Sequence, residues 1–240
     1  MIDAEATDPS REEGVPKGAI AASDAPRTPL RRLWMRIALV AETFLPKVDG
    51  IVNTLLYLLQ HLERAGHQAL VLAPQGSPQK VGAAQVVSFP ACRLPAYPEL
   101  RLALPDGRVG AILDRFQPDL LHAANPLVLG AAAMRAARHR RVPVVAAYHT
   151  DIAGFAASWG LGALRPLIWA LLRRIHRTAD LNLCPSLTSM AQLRDQGIPR
   201  LAVWTRGVDA QLFNPGRRDL GWRHRLSEGQ VDRPLLLYVG

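Results

Sequence analysis

Two short polar clusters hold most of the chemistry this sequence offers. His149, Thr150 and Asp151 follow the apolar run Val142–Tyr148, and Lys47, Asp49 and Gly50 separate the run Ile37–Ala41 from a helical pattern at Ile51, Leu55, Leu58, Leu59 and Leu62. A neutral imidazole at His149 can donate to a sugar hydroxyl or a phosphate oxygen. A carboxylate such as Asp151 or Asp49 can orient an acceptor hydroxyl, and Lys47 can meet phosphate. Gly50 lets a diphosphate or an acceptor oxygen approach the helix amino terminus, where free N–H groups attract negative charge. Each has a plainer reading: a histidine hydrogen-bonded in its loop, solvated loop charges, an ordinary strand-to-helix turn. Glu42 and His122 belong to the same expected rim, His122 equally readable as a satisfied sheet-edge residue. The sequence contains no GxGxxG fingerprint, Walker loop, HExxH, Ser–His–Asp order or Cys/His cluster, so dinucleotide redox, hydrolase and zinc chemistry find no support.

The elements that must position these groups follow a repeating strand–loop–helix plan. Short, nearly continuous apolar runs suit parallel strands buried on both faces. They predict strands at 37–41, 69–73, 86–89, 119–122, 142–148, 180–184 and 201–204, with helices over 51–66, 105–116, 125–139, 164–178 and 186–197 and a basic one over 217–226. Asn125 reads as a helix cap, residues 90–103 as an ordered loop and 152–161 as a mobile one. The fold class is therefore α/β, a Rossmann-like parallel sheet with helices on both faces. Ligands in such sheets sit beyond the strands' carboxyl ends, where both polar clusters lie. Residues 1–33 lack periodicity and read as a disordered tail, 34–214 as one domain, and 215–240 as a linker with the first strand (235–239) of a truncated second domain.

The chain has 240 residues, 49% of them hydrophobic, a net charge of +9 and a pI near 10.5. That excess favours phosphates, an acidic membrane surface or nucleic acid. Nucleic acid is the weakest of these, for want of a recognition-helix motif or an aromatic platform. Cys92 and Cys184 lie far apart and read as reduced thiols of a cytoplasmic protein. Asp3, Glu5 and Asp8 stand where a secretory signal would be basic, and no apolar run reaches the length of a membrane span, so contact with a membrane is expected from the side. The segment 164–178 supplies a face for it. Leu164, Leu167, Ile168, Leu171, Leu172 and Ile175 form an apolar stripe for the sheet, while Arg165, Trp169, Arg173 and Arg177, with His176 beside them, suit anionic lipid. The plainer reading is a solvated surface helix.

With these stretches in place, the chain resembles the amino-terminal half of the retaining glycosyltransferases of family 4, which have the GT-B fold. Lipid-directed members resemble it best: GDP-mannose-dependent alpha-mannosyltransferases and sulfoquinovosyltransferases. The likeness rests on AETFLPKVDGIVNTLLYLLQHLERAGHQ, DLLHAANPLVLG, AYHTDIAGFA, ADLNLCPS and VWTRGVDAQLFNP before LLLYVG. It implies two facing α/β domains, the first binding the acceptor and the second a nucleotide-sugar, GDP-mannose or a UDP-sugar. It makes Gly50, with Asp49 and Lys47 beside it, the loop near the donor diphosphate. His149 becomes the residue contacting the donor sugar, and Asp151 a neighbour of the acceptor. Asp49 stands where many members carry a second glycine. Arg206–Asp209 match the hinge-side turn. No metal is implied, the family's phosphate-binding Arg and Lys and its paired glutamates would lie beyond Gly240, and nothing implies an oligomeric state. The expected enzyme moves mannose, or alternatively sulfoquinovose or glucose, to a lipid or glycolipid at the inner face of the plasma membrane. A noncatalytic membrane-docking module is the alternative if the native chain ends at Gly240.

Overall fold

The computed structural model describes residues 34–94, 97–230 and 232–238. Eight strands form one sheet in the order β10-β9-β8-β7-β1-β2-β4-β3. At its centre β1 (Arg36–Ala41) runs parallel to β2 (Gln68–Pro74) on one side and to β7 (Leu120–Ala124) on the other. Outward from β7 come β8 (Val144–Ala147), β9 (Leu181–Cys184) and β10 (Leu201–Val203), all parallel. Beyond β2 lies β4 (Ala84–Phe89), and the two-residue β3 (Lys80–Val81) adds an antiparallel edge, making the sheet mixed. A doubly wound Rossmann-like α/β fold is the result.

Helices cover both faces, as the unbroken apolar strands require. On one side α1 (Gly50–Arg64) buries Val52, Leu55, Leu59 and Leu62 against Ile37, Leu39 and Val71. On the other, α2 (Arg108–Phe116) and α3 (Leu129–His139) pack Val109, Leu113, Ala133, Met134 and Ala137 onto Ala38, Val40 and Leu121. The small side chains of α3 bring its backbone close to the strands. A third cluster joins Tyr148, Trp169, Leu172, Cys184 and Leu193 under α4 (Ile152–Ala156), α5 (Arg165–His176) and α6 (Leu187–Asp195).

Several expectations change. Residues 91–94 and 97–103, expected within a loop, form an antiparallel pair, β5 and β6. Pro98 within β6 and the prolines flanking β5 hide the strand pattern, because a two-stranded pair tolerates proline at its edges. Asn125 does not cap α3, which begins four residues later, and Asn125 turns in the left-handed region at φ 53°. The segment expected as a mobile loop is α4 followed by a π-helical turn (Ala157–Leu161) and a 3-10 turn (Gly162–Leu164). No strand forms over Leu235–Tyr238, where Leu236 and Tyr238 are 95% exposed; an apolar run without a neighbouring strand has no ladder to join. The basic helix expected over 217–226 does form before it, as α7 (Leu220–Leu226), capped by Asp219. The expected tail at 1–33 and the end of the expected last strand lie outside the described residues.

The face of α5 is the largest correction. Trp169, Leu172, Ile175 and His176 are buried, while Leu164, Leu167 and Leu171 are 45%, 67% and 49% exposed. Both sides of this helix are apolar, and the side with more to bury wins. Trp169 stacks on Tyr148 at 6.3 Å, and His176 Nδ1 meets Asn182 Oδ1 at 2.8 Å inside the core. The expected Arg–Trp face is therefore not a surface, although Arg165 and Arg177 do face outward. The expectation of no span-length run also changes: Ile152–His176 is, by length and composition, apolar enough to cross a membrane, an 18-residue stretch within it having mean hydropathy 1.3. Arg165, Pro166 and three glycines conceal this in the linear sequence.

Candidate active site

The carboxyl ends of β1, β7, β8 and β10 bring together residues from four distant parts of the chain. Asp49 has extended backbone (φ −144°), which turns its side chain over the first turn of α1. Its Oδ1 accepts hydrogen bonds from Ile51 N and Val52 N, both at 2.9 Å, and Oδ2 lies 3.7 Å from Lys47 Nζ. An anion reaching this helix terminus thus finds two amides already engaged by a carboxylate. Gly50, having no side chain, leaves the space above it to Arg206. A Cβ there would sit 2.5 Å from Nη1 of Arg206 and 3.3 Å from its Cζ, so the guanidinium rests directly on the glycine.

His149 stands two residues past β8. Its ring lies 5.8 Å from that of Trp204, and its buried Nε2 has no hydrogen-bond partner. Burial first, then the Arg206 charge, pushes the imidazole down to about 4 against a weaker opposite pull from Asp49. His149 is therefore neutral near pH 7, a hydrogen-bonding group and not a cation. His122, on β7, meets the same indole edge-on at 5.4 Å, is 6% exposed, and also buries an unpartnered Nε2. Burial, with a contribution from His149, holds it at about 4 too. Two neutral imidazoles thus lie against Trp204, each with a buried ring nitrogen that has no hydrogen-bond partner in the protein.

Asp151 is bound more tightly into the scaffold. Its Oδ1 accepts from Gly154 N at 2.9 Å, capping α4, and from Tyr148 Oη at 3.1 Å, while Oδ2 accepts from Gln192 Nε2 at 3.3 Å. Burial works against its ionisation, but these bonds and the Arg165 charge prevail and hold its carboxyl below the ordinary range. Tyr148 is correspondingly kept protonated, by burial and then by the Asp151 charge. An Asp151 so engaged fixes the His149 turn and the start of α4.

Glu42, expected at the rim, is instead an internal cap. It is 3% exposed, and one oxygen accepts from Leu127 N, Val128 N and Gly130 N at 2.9, 2.7 and 2.9 Å, at the start of α3. Gly130 permits this: a Cβ there would lie 2.7 Å from Pro126 Cβ and 3.4 Å from that oxygen. Burial outweighs the four amides facing the carboxylate and raises its pKa.

The structure thus gathers His149, Asp49, Gly50 and Lys47 at one edge, together with His122, which the sequence already places at the same rim. Trp204 is the member no local signal disclosed, and Arg206 appeared in the sequence only as part of a turn. Trp204 N continues the β10 ladder to Cys184 O at 2.8 Å, which aims the segment after it back across the sheet. Among the described residues no group of three or more His, Cys, Asp or Glu side chains is arranged to hold a metal ion.

The model of "Glycosyltransferase Family 4" matches residues 48–212, from the loop before α1 to the turn beyond Arg206. The chain belongs to glycosyltransferase family 4. It is 41% identical over 212 residues to a GDP-mannose-dependent alpha-mannosyltransferase of Mycobacterium tuberculosis, covering 86% of this chain and 56% of that protein. It is 32% identical to a sulfoquinovosyl transferase of Arabidopsis thaliana, covering 85% and 41%. This family 4 chain spans about half the length of the curated relatives it matches. Its fold is similar to that of a glycosyltransferase from Rickettsia africae, with a TM-score of 0.51 at 12% identity, over 83% of this chain and 51% of the other.

Proposed function

We propose that this domain is the acceptor-side half of a retaining glycosyltransferase that moves mannose from GDP-mannose to a lipid or glycolipid. The observation that carries the reading is His149: a neutral imidazole with an unpartnered, buried Nε2, held at a sheet edge beside Gly50 and a cation, in a family 4 chain. Such a group hydrogen-bonds a hexose hydroxyl without placing a charge on it. The relatives at 40–41% identity are named for GDP-mannose and alpha-mannosyl transfer, which favours that donor.

In this reading residues 34–214 form one domain, and 215–240 lead into a second that supplies most of the nucleotide site. His149 contacts the donor sugar, and Gly50, Asp49 and Lys47 border its diphosphate. Asp151 holds the His149 turn next to the acceptor. Retention would come from same-face transfer, the leaving diphosphate taking the acceptor's proton. That chemistry needs stabilisation of developing negative charge more than a protein nucleophile.

The lipid acceptor would be met side-on at an anionic membrane surface, at the cytoplasmic face. Phe155, Trp159, Leu161, Leu164, Leu167 and Leu171 are each 45% exposed or more along 155–171, with the Arg165 and Arg174 side chains outward. Gly160 leaves helical backbone at φ 77°, and the buried side of α5 holds it to the sheet, so the run lies along a surface and does not cross it. Apolar side chains flanked by arginine suit the headgroup–acyl boundary.

The test is a donor panel: the complete polypeptide, total lipid extract, and radiolabelled GDP-mannose, UDP-glucose and UDP-sulfoquinovose. Label should enter the lipid phase from GDP-mannose. Incorporation from a UDP-sugar alone overturns the donor, and incorporation from none overturns the transferase.

A further inference from the structure

We infer that Arg206 binds a phosphate group of the substrate, holding it across Gly50 beside His149. The class of substrate rests on the function proposed above; the phosphate contact itself rests on the geometry around β10.

The segment after β10 delivers two side chains to the crevice. Trp204 meets the imidazoles of both His122 and His149, at 5.4 and 5.8 Å between ring centres. Two residues on, the Arg206 guanidinium lies on the bare backbone of Gly50, reaching a site more than 150 residues away in the chain. Packing does not explain its position, since Arg206 is exposed. Its hydrogen bond to His149 O is long, at 3.4 Å, and uses one of the five N–H groups a guanidinium carries. Planar, paired donors match phosphate oxygens, and such charge-assisted bonds are about twice as strong as neutral ones.

The charges nearby explain why a cation is needed there. Asp49 already engages the first amides of α1, so the helix terminus by itself does not offer an anion an empty site. A phosphate arriving at Gly50 meets a carboxylate on one side, and Arg206 supplies the opposite sign on the other. The unpartnered nitrogens of His149 and of His122, itself more than nine-tenths buried, lie on the same side of the sheet edge. Neutral imidazoles tolerate an adjacent guanidinium, whereas protonated ones would repel it. A cation laid over a glycine, beside imidazole nitrogens that have no partner in the protein, describes a site for a phosphate attached to a hydroxylated ring.

That phosphate belongs either to the diphosphate of the donor or to the headgroup of a phospholipid acceptor, and kinetics separates the two. The complete polypeptide would be compared with Arg206→Gln and Arg206→Lys. Isothermal titration with inorganic pyrophosphate reads the contact directly, and Michaelis constants for GDP-mannose and for the lipid acceptor read its source. Losing one charge-assisted contact should weaken pyrophosphate binding by about 10- to 100-fold in Arg206→Gln. Arg206→Lys should restore part of the affinity, and the denaturation midpoint of both variants should match wild type. A rise confined to the GDP-mannose constant assigns the contact to the donor, and one confined to the lipid constant assigns it to the acceptor. Pyrophosphate affinity within twofold of wild type in Arg206→Gln overturns the inference, as does a wild type that binds no pyrophosphate. A wild type that binds pyrophosphate through Arg206 but transfers no hexose overturns the transferase reading and leaves the contact standing.

Discussion

Replacing Glu42 separates the two things a buried carboxylate does for this fold. In Glu42→Ala, three amides that now donate to one oxygen lose their acceptor in a closed pocket at the start of α3. An unsatisfied buried donor costs about 1–3 kcal/mol, and a negative charge at a helix amino terminus contributes up to about 2 kcal/mol. Removing the charge also relieves its desolvation, so the net loss should be about 3–5 kcal/mol. Glu42→Gln keeps an acceptor oxygen and abolishes the charge, and should stay within about 1 kcal/mol of wild type. The pH dependence gives a second reading. Burial raises the Glu42 pKa above its unfolded value, so its stabilising contribution is present below that unfolded value and declines as pH rises through the folded one. The wild type should therefore lose ground to Glu42→Gln as pH rises out of the acid range. Guanidinium midpoints at pH 4, 5 and 8, followed by tryptophan fluorescence and far-UV circular dichroism, measure both effects. An alanine variant less than 1 kcal/mol below wild type would refute the cap. A wild type that gains on Glu42→Gln as pH rises would refute the dominance of burial over the amides.

Three further outcomes are expected. On the proposed transferase reading, His149→Ala in the complete polypeptide should lower turnover about 100-fold, the scale of one lost electrostatic contact in a transition state, and unchanged turnover in a folded variant would remove His149 from the site. His122 and His149 are both held at about 4, so the stability they contribute is intact above pH 6.5 and lost as pH falls toward 4. His122→Asn should flatten that acid slope in the denaturation midpoints; an identical slope would show that His122 titrates normally. Replacing Leu164, Leu167 and Leu171 together with Gln should cut co-sedimentation with both neutral and acidic vesicles by at least about 10-fold, since half-burying each leucine contributes on the order of 1 kcal/mol. Replacing Arg165 and Arg174 with Gln should act only on acidic vesicles and fade in high salt; leucine variants that sediment like wild type would move the membrane surface elsewhere.

How far these features could be read in advance depends on the range of the interactions behind them. The β1 strand, Gly50 at the start of α1, and His149 beyond β8 follow from apolar runs and a helical period within some thirty residues. Trp204 and Arg206 could not be read that way: only the order β10-β9-β8-β7-β1 brings them beside His122, His149 and Gly50. Glu42 looked like a rim charge because its amide partners are more than 80 residues away. For α5 the period was right and the face wrong, since a helix with two apolar sides is oriented by its neighbours, here Tyr148 and Asn182. The β5–β6 pair was hidden by proline, which marks loops and free sheet edges alike.

The place of β1 at the centre of the sheet also shapes how the chain folds. One edge of β1 is closed early, by β2, whose residues follow about 30 positions later, as in the pairing of Ile37 with Ala69. The other edge waits for β7, with Ala41 pairing to Ala124. Some 80 residues of synthesis separate the two, and at about 5–20 residues per second the open edge of an apolar strand persists for roughly 4–16 s on the ribosome. Strand edges of this kind template pairing with other chains. The same connectivity that assembles the crevice from four distant segments therefore gives the nascent chain its most exposed interval, and newly made protein should depend on chaperones far more than refolded domain does.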